Sequence, residues 1–274
     1  MAAHPTRPPG GAPAEAAVTD DAPVPTGLDH LSRQQRQELL ALLAERDRRD
    51  ARGLFDHLFP DAPHMWRGET FHGRDRYPKH MEFFAATATA TYVAFMAANR
   101  VGKTVTGGYF TAAAATGRYP PWWTGRRWDR PVRIWAAGKS NATVRTILQT
   151  KLLGRTVHEG ARKSVDGTGI VPGDSIGRIT WKAGLTDAVD TVRIRHLSGR
   201  WSVIDFKSYE QGRGAFEGAE QDIIWLDEEP PIDIWNECAV RVMTTGGVLI
   251  GTFTPLDGIT DTVLLFLPGA RPDA

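Results

Sequence analysis

The sequence predicts an α/β protein built on a mainly parallel sheet flanked by helices, and three observations carry that prediction. Short runs of β-branched and aromatic residues, Tyr92–Met96 and Val132–Ala137, are each followed by a loop and a helix-compatible segment. Repetition of strand, loop and helix is the pattern of a parallel sheet. The first run breaks into Ala97-Ala98-Asn99-Arg100-Val101-Gly102-Lys103-Thr104, and a third, Asp222–Leu226, ends in Asp227-Glu228-Glu229. Ligands of parallel sheets bind at such C-terminal strand ends.

The totals set wide bounds. The 274 residues suffice for one large domain or two small ones, with 41% hydrophobic and 24% charged residues, as in soluble globular chains. No apolar run approaches a membrane span, and the start of the chain lacks a signal-peptide apolar core, so no membrane partner is expected. The single cysteine, Cys238, rules out an internal disulfide and points to an intracellular setting. The eight histidines show no Cys/His metal spacing. A net charge of +1 gives no basis for inferring a nucleic-acid partner.

Residues 1–27, dominated by Ala, Pro and Gly, read as a disordered tail. Ser32 and Gln35 form a capping-box pair that opens a helix to about Arg52, with an apolar stripe of Leu39, Leu40, Leu42 and Leu43. Residues 60–80 are rich in Pro, Gly, His and aromatics and are expected to be irregular, with a short helix at Met81–Ala86. Beyond the 97–104 loop, a helix is predicted to about Thr116, ending at Gly117. Pro120-Pro121-Trp122-Trp123 reads as a rigid aromatic loop, either a docking patch or, the more common outcome, packed on its own domain. Ser140 caps a helix over Ala142–Leu153. Residues 155–190 give one weak strand signal, at Arg178–Lys182. Val192–Leu197 and Trp201–Phe206 alternate around Ser198-Gly199-Arg200 and form a hairpin, expected at the sheet edge. Helix Ile232–Met243 presents Ile232, Trp235, Ala239 and Val242 on one apolar face. Gly247–Gly251 is a last buried strand, ending in Thr252-Phe253-Thr254-Pro255. The expected divisions are a tail at 1–27, a helical segment at 28–59, a nucleotide-binding domain at 60–262 and a tail at 263–274.

The chemistry lies in three stretches. Gly-Lys-Thr after a strand and before a helix is the end of a phosphate-binding loop, in which backbone N–H groups and the helix N-terminus surround nucleotide phosphates. Ala98, Asn99, Arg100, Val101 and Gly102 form that loop, Lys103 reaches the β- and γ-phosphates, and the Thr104 hydroxyl ligates Mg²⁺. One departure is Ala97, which stands where the usual pattern has its opening glycine. A Gly-Lys-Thr tripeptide capping an ordinary helix is the alternative. In the acidic stretch, Asp227 can hold Mg²⁺ through its water shell, and Glu228, pointing the other way, can polarise a water for attack on the γ-phosphate. A solvated acidic turn is the bland alternative. Glu229 reads as a charge at the start of the next helix. In the third stretch, Thr252 and Thr254 are placed to sense the γ-phosphate or its attacking water. Just upstream of the loop, Tyr77 could stack on a nucleotide base and Lys79 or His80 could hydrogen-bond it; a plain loop is the alternative. Together these features give a P-loop NTPase of the additional-strand, catalytic-glutamate type.

In order along the chain, AANRVGKT, IIWLDEEP and GTFTPLDG resemble the ATPase domain of tailed-phage terminase large subunits, over about residues 70–260. Ser208–Gly218 and the YPKHMEFF run at Tyr77–Phe84 strengthen the likeness. The resemblance implies an ATP- and Mg²⁺-dependent motor that drives double-stranded DNA through a portal protein into a procapsid in the bacterial cytoplasm. A terminase small subunit and a homo-oligomeric ring are implied as partners. By position, Lys103 and Thr104 would bind phosphate and metal, Asp227 would support the metal and Glu228 would be the base. Thr252–Thr254 matches the family's coupling motif. Ring motors of this kind also place an arginine on the γ-phosphate, often from a neighbouring subunit. Arg213 is the first candidate, with Arg145 and Arg100 behind it. Family members continue into a nuclease domain for which this sequence leaves no room, so DNA cutting is not expected of it.

Overall fold

The computed structural model describes residues 31–51, 53–160 and 162–267. The expected tail at 1–27 therefore lies outside the described residues, as do residues 268–274. The chain divides into two compact units, Met1–Arg46 and Asp47–Ala274. Helix α1 (Arg33–Ala51) opens, in the first unit, with the expected box: Gln35 Oε1 accepts from the Ser32 amide at 2.9 Å, and Ser32 Oγ accepts from the Gln35 amide at 3.3 Å.

The second unit holds the sheet. Its first elements correct the expectation of an irregular 60–80: β1 (His64–Trp66) and β2 (Glu69–Phe71) form an antiparallel hairpin. The two-residue turn between them needs positive φ at both positions, and Arg67 (50°) and Gly68 (79°) supply it. Helix α2 (Pro78–Ala86) starts three residues earlier than expected, because Pro78 occupies the first helical turn, where its missing N–H costs nothing. Strand β3 (Tyr92–Met96) and helix α3 (Lys103–Thr116) follow as predicted, α3 ending at Gly117 with φ 71°.

Strand β4 (Arg133–Gly138) leads to Ser140, whose side chain caps α4 (Asn141–Thr143). The helix continues as a π-turn at Val144–Gln149 into α5 (Thr150–Leu153). A second small hairpin, β5 (Thr156–Glu159) and β6 (Arg162–Val165), precedes β7 (Ile176–Trp181), β8 (Val189–Arg195) and β9 (Trp201–Ser208). Strand β10 (Ile223–Asp227), helix α6 (Ile232–Met243), strand β11 (Val248–Phe253) and helix α7 (Asp261–Leu264) complete the unit.

The main sheet has seven strands in the order β3-β11-β10-β4-β9-β8-β7. The first five pair in parallel; β8 pairs antiparallel with β9, and β7 with β8. The β8–β9 hairpin is thus interior, not at the edge. Strand β9 pairs with β4, and the weakly signalled β7 takes the edge. The sheet is a mainly parallel α/β sheet, and β11 lies between the phosphate-loop strand β3 and the acidic strand β10.

Because successive side chains of a strand point to opposite faces, β10 serves two cores. Ile223 and Trp225 pack with α3 residues such as Tyr109 and Phe110, whereas Ile224 and Leu226 pack with α6. The buried face of α6 is Ile234, Trp235, Cys238 and Val242; Ile232 and Ala239 are only half-buried, a correction of about one position. Trp123 is buried against Phe84 and Phe110, so the Pro-Pro-Trp-Trp loop packs on its own unit. No helix among the described residues is long and apolar enough to cross a membrane.

The tightest approach of α3 to the sheet is at Gly107, where an added Cβ would lie 2.3 Å from Trp225 Nε1. Trp225 is fully buried and cannot yield. Gly107→Ala is expected to lower unfolding free energy by about 2 kcal/mol in denaturant titration, despite alanine's better helix propensity. Gly214→Ala, with no heavy atom of the described residues within 4 Å and no left-handed φ, is expected to stay within about 0.5 kcal/mol of the parent.

Candidate nucleotide site

The parallel strands end together, and a cavity of about 520 Å³ opens over the ends of β3, β11, β10 and β4. That volume suits a small-molecule ligand. Asn99, Arg100, Gly102, Lys103 and Thr104 line it on one side, and Asp227, Glu228, Thr252 and Thr254 on the other.

The 97–104 loop explains its own departure from the usual pattern. Ala97 has an ordinary negative φ; its amide donates to Phe253 O and its carbonyl accepts from the Thr254 hydroxyl. The left-handed positions fall instead at Arg100 (φ 64°) and Gly102 (φ 87°). A glycine is required at the second, which caps α3, and not at the first position of the motif.

Lys103 Nζ donates to Ala98 O at 2.6 Å and to Thr254 Oγ1 at 2.7 Å, which bends the side chain back over the loop. The Thr254 hydroxyl also lies 2.9 Å from Asn99 Oδ1. Partial burial lowers the Lys103 pKa, and the charge of Asp227 offsets part of that effect.

Asp227 faces α3, as the alternation of β10 requires. Thr104 Oγ1 lies 3.1 Å from both of its carboxylate oxygens, and Thr252 Oγ1 donates to Oδ1 at 2.6 Å. Trp225 Nε1 in turn donates to Thr252 Oγ1 at 2.7 Å. Burial pushes the Asp227 pKa up to about 6, although the two hydroxyls hold it down. Glu228 breaks the strand geometry. Its φ is 64°, a conformation that costs a non-glycine residue on the order of 1–2 kcal/mol, and its amide donates to Thr252 O at 3.0 Å. Its Oε2 is buried and has no hydrogen-bond partner among the described residues.

These observations join the 97–104 loop to a buried carboxylate 123 positions from Thr104, with a second carboxylate beside it, on a sheet with an inserted strand. The terminase large subunit family, T4likevirus type, matches through its N-terminal region over residues 94–270. The chain belongs to this family. The large terminase subunit of Salmonella phage P22 is 33% identical over 259 residues, which make up 88% of this chain and 48% of that protein. The chain therefore spans about half the length of that curated relative. Among solved structures, the Thermus phage P74-26 large terminase ATPase domain aligns with a TM-score of 0.44 at 12% identity, over 71% of this chain and 75% of that one. The large terminase of another thermophilic bacteriophage, solved in complex with ADP, aligns at 0.41 and 15% identity, over 65% and 37%.

Other expected residues of this terminase region lie elsewhere. His80 is buried, and its Nε2 lies 2.9 Å from Val101 O, so the imidazole braces the loop from behind. Nε2 is therefore the protonated nitrogen; Nδ1 is buried without a partner among the described residues, and burial lowers the His80 pKa. Tyr77 stands edge-on to Phe59 and lines, with His80 and Val101, a separate cavity of about 700 Å³ beside β3. Arg213 does not line the main cavity; its guanidinium is paired with Glu237 at 3.0 Å. Arg145 Nη1 donates to Thr186 O. Three features were not read from the sequence. Glu229 lines the cavity and accepts from the Thr260 hydroxyl. Lys139 and Lys151 also line it. Tyr209 reaches the end of β10 from a distant segment.

The raised pKa of Asp227 fixes the sign of a pH effect. The folded chain holds this proton up to about pH 6 and the unfolded chain only to about 4, so the site's contribution to stability is full below 4 and falls as pH rises through 6. Asp227→Asn removes that loss. The stability difference between variant and parent, measured by denaturation across pH 4–7, is expected to move in the variant's favour between pH 4 and 6 and to stay constant above it.

Proposed function

We propose that this chain binds ATP with Mg²⁺ in the main cavity and hydrolyses it. It does so as the motor region of a terminase large subunit that translocates double-stranded DNA into a procapsid in the host cytoplasm. The observation that carries the reading is the convergence of Lys103, Thr104, Asp227, Glu228, Thr252 and Thr254 on one cavity from three separate segments. Portal protein, small subunit and further copies of the chain in a ring are the partners the family membership supports.

The residues present fit a magnesium ion. Thr104 and Asp227 offer hard oxygen ligands already within 3.1 Å of each other, and the buried, unpartnered Glu228 Oε2 needs a polar neighbour of the kind a bound water provides. A bound ion would supply neutralisation of phosphate charge. Lys103 exchanges Ala98 O and Thr254 Oγ1 for phosphate oxygens, which frees Thr254 to respond to the nucleotide. Asp227, once ionised, would hold the metal, while Thr252 and Thr104 keep its carboxylate oriented. Glu228 accepts a proton from the attacking water. Gly102, Val101 and Arg100 wrap the phosphates with backbone groups, and His80 holds that curve through Val101 O. The base reaches out of the main cavity past the loop to the Tyr77-lined cavity, which Val101 of the loop also lines. Arg213 acts on a neighbouring subunit's γ-phosphate after leaving Glu237.

Phosphate release with Mg²⁺-ATP, in the presence of DNA, portal and small subunit, tests the reading. Lys103→Ala and Glu228→Gln are each expected to lower kcat at least about 100-fold, and Glu228→Gln to keep nucleotide affinity within a few-fold. A parent that binds ATP yet releases no phosphate with all partners supplied would rule out the motor. Tyr77→Ala is expected to raise KM for ATP by about tenfold, the loss of one stacking contact, with kcat little changed. An unchanged KM would remove Tyr77 from the base site.

A further inference from the structure

We propose that the Tyr209 hydroxyl is a positioning group for hydrolysis: it fixes the peptide unit between Asp227 and Glu228 and thereby aims the Glu228 carboxylate. The inference rests on the reading of Glu228 as the base.

The geometry is specific. Tyr209 is buried, with its ring near Phe216, and its hydroxyl lies 2.9 Å from Asp227 O and 3.1 Å from Glu228 O. Consecutive carbonyls of an extended strand point to opposite sides, so one hydroxyl cannot ordinarily reach both. Here both turn toward it because Glu228 leaves the strand with φ 64°. The hydroxyl has one proton to share between two acceptors, and it stabilises the strained turn with a buried hydrogen bond whichever carbonyl it serves. Burial also holds the phenol well above its ordinary pKa, so it remains a donor at any working pH.

Glu228 is thereby gripped on both sides. Its amide donates to Thr252 O, and its carbonyl accepts from Tyr209. Only the side-chain torsions remain free, and the left-handed backbone decides which way they lead. Tyr209 is itself held by its own segment. The Ser208 amide donates to Gln211 Oε1 at 2.8 Å, and Lys207 Nζ donates to Ala215 O at 2.6 Å while lying over the Trp135 ring. A rigid phenol thus stands on a braced turn, with its tip at the end of β10.

Tyr209→Phe removes the hydroxyl and nothing else. The expected result is a kcat at least tenfold lower, KM for ATP within twofold of the parent, and a similar melting temperature. In a Glu228→Gln background the same change should have no further effect, because the group acts through Glu228. Without nucleotide, amide hydrogen exchange at Glu228 should accelerate at least tenfold in Tyr209→Phe, with Ile224 unchanged. p-Aminophenylalanine in place of Tyr209, which keeps a donor, should restore both, and replaces the Phe variant as the comparison if that variant does not fold. Unchanged kcat with unchanged exchange would overturn the proposal, and so would losses that multiply in the double variant. A parent that releases no phosphate would instead defeat the ATPase reading, and the exchange comparison would still decide whether the hydroxyl fixes Glu228.

Discussion

One buried carboxylate holds the site together. Asp227 accepts from Thr104 at the start of α3 and from Thr252 at the end of β11, so a single side chain of β10 joins the phosphate loop to the inserted strand. Burying a carboxylate is expensive unless its oxygens are hydrogen-bonded, and two hydroxyls plus the neighbouring Lys103 charge meet that need only in part. The remaining cost leaves Asp227 easier to protonate than an ordinary aspartate.

Strand order makes this contact possible. With β11 between β3 and β10, the loop and the acidic pair are separated by one strand, about 10 Å across the hydrogen-bonding direction. The inserted strand also brings its own hydroxyls into that gap. Thr252 is in register with Asp227, and Thr254, two residues on, contacts Lys103. Hydroxyl spacing of two keeps both on the α3 face, the face that carries the loop. The Trp225–Thr252–Asp227 chain then ties the polar site to the aromatic packing that Gly107 permits, so core and site share one set of constraints.

What was legible in the sequence follows from this. Strands β3, β10 and β11 are short, apolar and bounded by motif residues, and helices α3 and α6 begin and end at clear signals, so their places could be read directly, although β11 runs past its expected end at Gly251 to Phe253. The β1–β2 hairpin was missed because its turn is Arg67-Gly68, where arginine gives no hint of a left-handed φ. The sheet edge was misplaced because β7 is irregularly paired, with register shifts along its length, and its alternation is correspondingly weak. His80, with Lys79, was read as able to hydrogen-bond a base because its segment lies just upstream of the loop; only the packing of α2 behind the loop shows its bond to a loop carbonyl. Tyr209 lies in the Ser208–Gly218 stretch that strengthened the family likeness, but its own role carried no signal, since a tyrosine in a turn becomes informative only when its partner 18 residues away is known.

Glu228 shows why such contacts escape a reading by pattern. Alternation along β10 predicts only that it points away from Asp227, into the side packed by α6. The structure instead turns the backbone through a left-handed residue, at a cost that nothing in the local sequence offsets. Compensation comes from outside the strand, through the Thr252 carbonyl on one side and the Tyr209 hydroxyl on the other. A residue held in a strained conformation by two remote partners, with a buried carboxylate oxygen left unpaired, has been placed by the fold for something other than stability. Glu228 lines the cavity that the loop and Asp227 define, and a water held at that oxygen would complete its hydrogen bonding.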